Sequence, residues 1–235
     1  MSPLYSQEIQ QALNQFVKED HLLIKNNVSE RAITHKIAEH LQQLLPDWHI
    51  DCEYNRKLKQ RKTANFKNLI TDIDILLASD DLQNIRAEHK TAIEQLLAEL
   101  HHGDIRRFRC ESGNQEYILL SDDDGSYVKP IYPDIIAHRR NTMLNKIVIE
   151  VKINGRNHNI SKNRIFDLAK LAVLTDPKGE YKYDVGYFIT LPNKVTPTTI
   201  VGTPKQTSFL AKLPKRYHNV YEIDVAPIKS MHTVK

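Results

Sequence analysis

The stretch Ile131–Asn154, IYPDIIAHRRNTMLNKIVIEVKIN, restricts what this chain can fold into more than any other. Two apolar segments, Ile131–Ala137 and Leu144–Ile153, are rich in β-branched residues and are interrupted by HRRN, so they predict adjacent strands joined by a turn. Charges sit inside both. Asp134 follows Pro133, and Glu150 and Lys152 flank Val151 in KIVIEVK. Side chains two apart on a strand share a face, which puts Glu150 and Lys152 together and away from Ile149 and Val151. A carboxylate and an ammonium within an apolar strand are costly unless they pair or hold a metal. The alternatives are therefore a functional site and a salt-bridged pair within a sheet.

Pro133-Asp134 followed by Glu150-Val151-Lys152 resembles the PD-(D/E)xK nuclease superfamily, which has the restriction-endonuclease-like fold. That resemblance implies an α/β domain of three layers, with a central mixed sheet flanked by helices. It implies hydrolysis of phosphodiester bonds with Mg²⁺, or Mn²⁺ as a substitute, in nucleic acid and in DNA first. Asp134 and Glu150, with the Val151 carbonyl, would hold the metal. Lys152 would orient and help deprotonate the attacking water, or neutralise the charge that develops. Glu30 matches the first-helix carboxylate that completes the metal site in many members; otherwise it is an acid favoured by the dipole of a helix capped by Ser29. Lys170, in Asp167-Leu168-Ala169-Lys170, either supports the metal ligands or is a solvated charge. Restriction, repair and phage defence all suit such an enzyme. A different class keeps the fold as a nucleic-acid-binding or scaffold protein without catalysis, and a third reading is an enzyme acting on another phosphate substrate.

A second set of letters competes with this one. Leu69–Ala78 reads as a strand and Ile85–Leu100 as a helix, so Asp72 or Asp74 with Glu88-His89-Lys90 also spells acid, spacer, Glu-x-Lys. Residues two apart on a helix point roughly 200° from each other, which excludes Glu88 with Lys90. Asp72 and Asp74, on one face of the expected strand, remain an accessory acidic pair or a solvent-facing edge.

Elsewhere, Leu4–Ile24 has the spacing of an amphipathic helix, and Ser29 opens a second helix with Ile33, Ile37, Leu41, Leu44 and Leu45 before Pro46. Trp48–Tyr54 reads as a strand. The following RKLKQRKTANFK contains no acid; it is a solvated loop or, through Lys57, Lys59, Arg61 and Lys62, a surface for phosphates. Ile105–Cys110 and Tyr117–Leu120 form a hairpin, and SDDDGS is a turn lacking the ligand pattern of a calcium loop. A helix over Lys162–Leu174 between Leu144–Ile153 and Tyr183–Leu191 makes a βαβ crossover, and Tyr217–Val225 closes the sheet as an edge strand.

These elements organise as a single nuclease-like domain over 1–235, with an N-terminal helix (1–27), an insertion (56–130) and a C-terminal loop with the edge strand (192–235). An apolar content of 40% suffices for its core, and a net charge of +4 permits nucleic-acid binding. No apolar run reaches membrane-spanning length, and MSPLYSQEIQ lacks a signal-peptide pattern, so no membrane partner and a cytoplasmic location are expected. Oligomeric state stays open, a homodimer included. Cys52 and Cys110 read as reduced thiols rather than a disulfide or a zinc site with His101-His102. His35 and His40, five apart on one helix, read as surface or interface residues.

Overall fold

Apolar residues at alternating positions of the longest strand fill two cores at once, and this shapes the molecule. The computed structural model describes residues 2–53, 56–57, 60–77, 108–109, 116–117, 120–121, 127–154, 160–196 and 198–226. In chain order its elements are α1 (Ser6–Glu19), α2 (Leu22–Lys25), α3 (Glu30–Leu44), β1 (His49–Cys52), β2 (Arg56–Lys57), β3 (Gln60–Arg61), β4 (Thr63–Asn65) and α4 (Lys67–Leu77). Then come β5 (Phe108–Arg109), β6 (Glu116–Tyr117), β7 (Leu120–Ser121), β8 (Tyr127–Pro130), β9 (Ile135–His138), β10 (Asn145–Ile153), α5 (Ile160–Thr175), β11 (Val185–Leu191), β12 (Ile200–Val201), β13 (Lys205–Gln206) and β14 (Val220–Ala226).

The central sheet runs β1-β9-β10-β11-β14-β12, with β13 also on β14. β9 is antiparallel to β1 and β10, whereas β10, β11 and β14 are parallel, so the sheet is mixed. The parallel pair β10–β11 is joined through α5, the expected crossover. Ile147, Ile149, Val151 and Ile153 of β10 pack with α1 and α3, while Val148 packs with α4 and α5. Period-two alternation thus meets one helical layer on each face. The β9–β10 turn closes with Asn141 at φ 62, a left-handed backbone that Asn tolerates. Beside the sheet, β4-β8-β7 form a three-stranded unit and β5–β6 a pair, the latter within the expected hairpin.

Leu4–Ile24 forms two helices, α1 and α2, rather than the one expected, and two further expectations fail. Leu69–Leu77, expected with Ala78 as a strand, is not a strand but part of α4. Leu69, Ile70 and Ile73 are buried while Ile75 is 63% exposed, a helical rather than an alternating pattern, and Asn65 Oδ1 accepts the Lys67 N–H at 3.0 Å to start it. Asp72 and Asp74 therefore do not share a face, and Asp72 instead takes Arg216 and the Tyr217 hydroxyl, the latter at 2.9 Å. The last strand, β14, is also not an edge. The Pro-rich return after Leu191 adds β12 and β13 outside it, two short strands that periodicity misses. Among the described residues no helix is long and apolar enough to cross a membrane.

Candidate active site

The β9–β10 register pairs Ile135 with Ile149, and one further step brings Asp134 opposite Glu150. The Val151 N–H donates to Asp134 Oδ2 at 2.7 Å, fixing that carboxylate against the strand that carries Glu150 and Lys152. Facing them, α5 presents Asp167 and Lys170, neighbours on one helical face. Lys170 Nζ lies 2.8 Å from Glu150 Oε2 and 3.1 Å from Asp167 Oδ1. Lys152 Nζ lies 3.4 Å from Asp167 Oδ2 and 3.3 Å from Glu30 Oε1. Glu30 arrives from the other helical layer because the Ser29 Oγ accepts the Ala32 N–H at 3.3 Å and starts α3 there. Six charged side chains from β9's approach, β10, α3 and α5 therefore meet.

Burial grades across the group. Glu150 is 1% exposed, and Asp167 and Lys170 are buried with it, while the Lys152 and Glu30 side chains are open to solvent at 27% and 31%. The arrangement has a buried inner wall and an accessible rim. Burial pushes the Asp134 carboxyl above its ordinary value, although Lys152, Lys170 and the Val151 N–H pull the other way. Burial likewise pushes Glu150 well up, against Lys170 and with Asp134 adding repulsion. Burial alone would lower Lys152, yet Asp167, Asp134, Glu30 and Glu150 together hold it well above a normal lysine. Lys170 is held up in the same way by Glu150 and Asp167. Four carboxylates share two ammonium groups, so the acids are short of positive charge.

The donor set suits a hard cation. Glu150 Oε1 is buried and accepts no hydrogen bond among the described residues, although a neighbouring N–H or O–H is what such an atom needs. Asp134 accepts the Val151 N–H through Oδ2 rather than Oδ1. Oxygen-only ligands fit Mg²⁺ or Mn²⁺ better than softer ions. Among the described residues the group of three acid or histidine ligand atoms lying within 4.8 Å of one another is a different one, Glu19, Asp20 and His40. His40 sits ten residues beyond Glu30 on α3, about 15 Å along the helix. It is buried with Nε2 2.7 Å from Asp20 Oδ2, so it is no surface residue as expected; His35 does lie outside, on Glu39.

Asp134, Glu150, Lys152, Glu30 and Lys170 are brought together, and Lys170 is an ion-paired buried group rather than a solvated charge. Val151 contributes its N–H to Asp134. Asp167 was not singled out by sequence; its only signal was the three-residue spacing to Lys170. The basic stretch divides. Lys62 does not join an exposed face, because it is buried and donates to the Tyr183 hydroxyl at 2.9 Å. Its ammonium lies over the rings of Tyr181 and Tyr183, 5.6 and 5.4 Å from their centroids, company that the surrounding run of charges concealed. Lys57 and Arg61 lie on the paired strands β2 and β3, with side chains outside the description, and Lys59 lies outside the described residues. Both ends of this hairpin are tied to the site's backbone: the Glu53 N–H donates to the Asp134 carbonyl and the Ile131 N–H to the Lys62 carbonyl, each at 3.0 Å. Cys52 is a free thiol that burial pushes up to about 11, whereas Cys110, His101, His102, the Glu88–Lys90 alternative and residues 122–126 of the SDDDGS turn lie outside the described residues, Ser121 ending β7. No family model, curated protein or solved structure matches the chain.

Proposed function

We propose that this protein is a divalent-cation-dependent phosphodiester hydrolase acting on nucleic acid, DNA first, built on a restriction-endonuclease-like core. The observation that carries the reading is the convergence of Glu30, Asp134 and Glu150 with Lys152 in a group where a buried carboxylate oxygen lacks a donor. A retired site has no physical reason to keep charges that burial penalises.

Asp134 and Glu150 would hold the ion, with the Val151 carbonyl and Glu30 beside them. A bound Mg²⁺ or Mn²⁺ supplies neutralisation of the phosphate and a water acidic enough to attack near neutral pH. Lys152 lies within ion-pair distance of Asp167 and Glu30. Its part is to hold that water and to offset negative charge on the scissile phosphate. Lys170 and Asp167 set the inner wall, fixing Glu150 and Lys152 from behind. The basic stretch that holds Lys57, Lys59 and Arg61 would meet phosphates flanking the scissile one, contributing affinity without reading sequence.

Purified protein incubated with supercoiled plasmid, linear duplex, single-stranded DNA and RNA tests this directly. Cleavage of at least one substrate with Mg²⁺ or Mn²⁺, abolished by EDTA and by Glu150→Gln, is expected. Binding without cleavage in every metal would instead favour the non-catalytic scaffold.

A further inference from the structure

Five carboxylate oxygens of the candidate site have a partner among the described residues. Asp167 is committed twice, with Oδ1 on Lys170 and Oδ2 on Lys152. Glu30 Oε1 faces Lys152, Asp134 Oδ2 accepts the Val151 N–H, and Glu150 Oε2 faces Lys170. Glu150 Oε1 is buried without a hydrogen-bond partner among the described residues, and Asp134 accepts the Val151 N–H through Oδ2 rather than Oδ1. Asp134 and Glu150 lie one step beyond the last pair of the β9–β10 register, Ile135 with Ile149. A two-ion centre needs more than this. Its ions lie about 3.5–4 Å apart and share a carboxylate that gives one oxygen to each. On the buried inner wall a second ion would need Glu150 Oε2 and an Asp167 oxygen, and the Lys170 ammonium sits between those two residues, 2.8 Å from Glu150 Oε2 and 3.1 Å from Asp167 Oδ1. An ammonium that close repels a dication and already satisfies both acceptors.

We propose that this centre takes one divalent cation, and that Lys170, a cation tethered to the protein, occupies the second position and keeps it closed. The inference rests on the metal-site reading above and concerns how many ions the site accepts, not whether it cleaves nucleic acid. It gives Lys170 a role distinct from that of Lys152: one lysine faces the rim and the substrate, the other substitutes for a metal in the inner wall.

Mn²⁺ titration followed by calorimetry and by electron paramagnetic resonance tests it without any activity assay. All arms carry Asp20→Asn, which removes the separate Glu19, Asp20 and His40 group from the count. The expected result is one Mn²⁺ per chain with Lys170 present, lost in Asp134→Asn. With Lys170→Met, similar in length but uncharged, the expected count is two, with the spin-coupled signal of a close pair. Two ions with Lys170 present, both lost in Asp134→Asn, overturn the proposal and leave the metal-site reading standing. One ion at unchanged affinity in the Lys170→Met chain also overturns it. No ion at all in the Lys170 chain removes both. Lys170→Gln serves in place of Lys170→Met if the apolar variant does not fold, read against the same counts.

Discussion

Asp134 and His138 approach the same face of one strand, separated by Ile136 and about 13 Å of extended chain, yet they end two differently built polar clusters. At the His138 end every partner is matched. His138 Nε2 lies 2.8 Å from Asp51 Oδ2, and Arg140 closes on the same carboxylate with Nε at 3.0 Å from Oδ2 and its terminal nitrogen on Oδ1. Burial pushes Asp51 up, but the hydrogen bonds from Arg140 and His138 outweigh it and hold the acid below its ordinary value. At the Asp134 end the balance reverses: burial wins, Asp134 and Glu150 are pushed up, and the buried Glu150 Oε1 lacks a donor among the described residues. A charge cluster that satisfies itself holds the fold together. One left short of positive charge has capacity for a ligand.

The largest expected contrast lies in cleavage. Glu150→Gln or Lys152→Ala should slow metal-dependent hydrolysis at least about 10³-fold, ~4 kcal/mol of activation free energy, in single-turnover assays. Asp51→Asn should leave the rate of folded protein within about twofold, because it removes no group from the reacting centre. If Asp51→Asn lost as much activity as Glu150→Gln, the two clusters would not be functionally distinct.

Stability should separate them in the other direction. Lys62, whose charge is felt by His138 and Asp51, is pushed down to about 8 by burial. The unfolded chain then binds more protons than the folded one between about pH 8 and 10.5, so stability should rise with pH across that window by up to ~3 kcal/mol and be flat below it. Urea unfolding at several pH values reads this, and Lys62→Met should flatten the curve.

Asp51→Asn should cost about 2 kcal/mol at neutral pH, since it leaves His138 and Arg140 without a charged acceptor. The lowered acid contributes stability that is present above its unfolded value near 4 and is lost as pH falls below it. Asp134 and Glu150 carry the opposite sign. Their folded forms hold protons longer, so stability drops as pH rises above about 4. Asp134→Asn should therefore stabilise the metal-free protein by about 1 kcal/mol at pH 7 and by much less at pH 4. Equal slopes for the two acids would erase the distinction.

The smallest effect concerns affinity. Neutralising Lys57, Lys59 and Arg61 should flatten the salt dependence of duplex binding by up to about 0.9 log units per lost contact, with the cleavage step unaffected once substrate is saturating. An unchanged salt slope would make the hairpin a solvated strand pair rather than a phosphate surface.

Much of this site is legible in the sequence because strand periodicity is rigid. Glu150 and Lys152 two apart in KIVIEVK must share a face, and the HRRN turn brings Asp134 beside them. Ser29 before an apolar stripe fixes where α3 starts, hence where Glu30 sits. What escapes depends on contacts far apart in sequence. Asp167 matters only because α5 folds back over β10, and nothing local marks it. Lys62 reads as one more charge in a basic run, yet Tyr181 and Tyr183, more than a hundred residues on, bury it. LITDIDILLA has the β-branched content of a strand, and the helix prevails because Leu69, Ile70 and Ile73 fall on one face in the core that holds α5 and Ile131. β12 and β13 are two residues each, too short for any period to register.

The central claim is that the shortage of positive charge around Asp134 and Glu150 is a cation site, and the unfolding midpoint as a function of Mn²⁺ tests it most directly. At about 100 times the dissociation constant, binding to the folded chain alone should add ~2.7 kcal/mol, a rise of roughly 5–10 °C for a protein of this size. The rise should persist in Asp51→Asn and vanish in Asp134→Asn. A midpoint indifferent to Mn²⁺, or one that climbs equally in Asp134→Asn, would contradict the account.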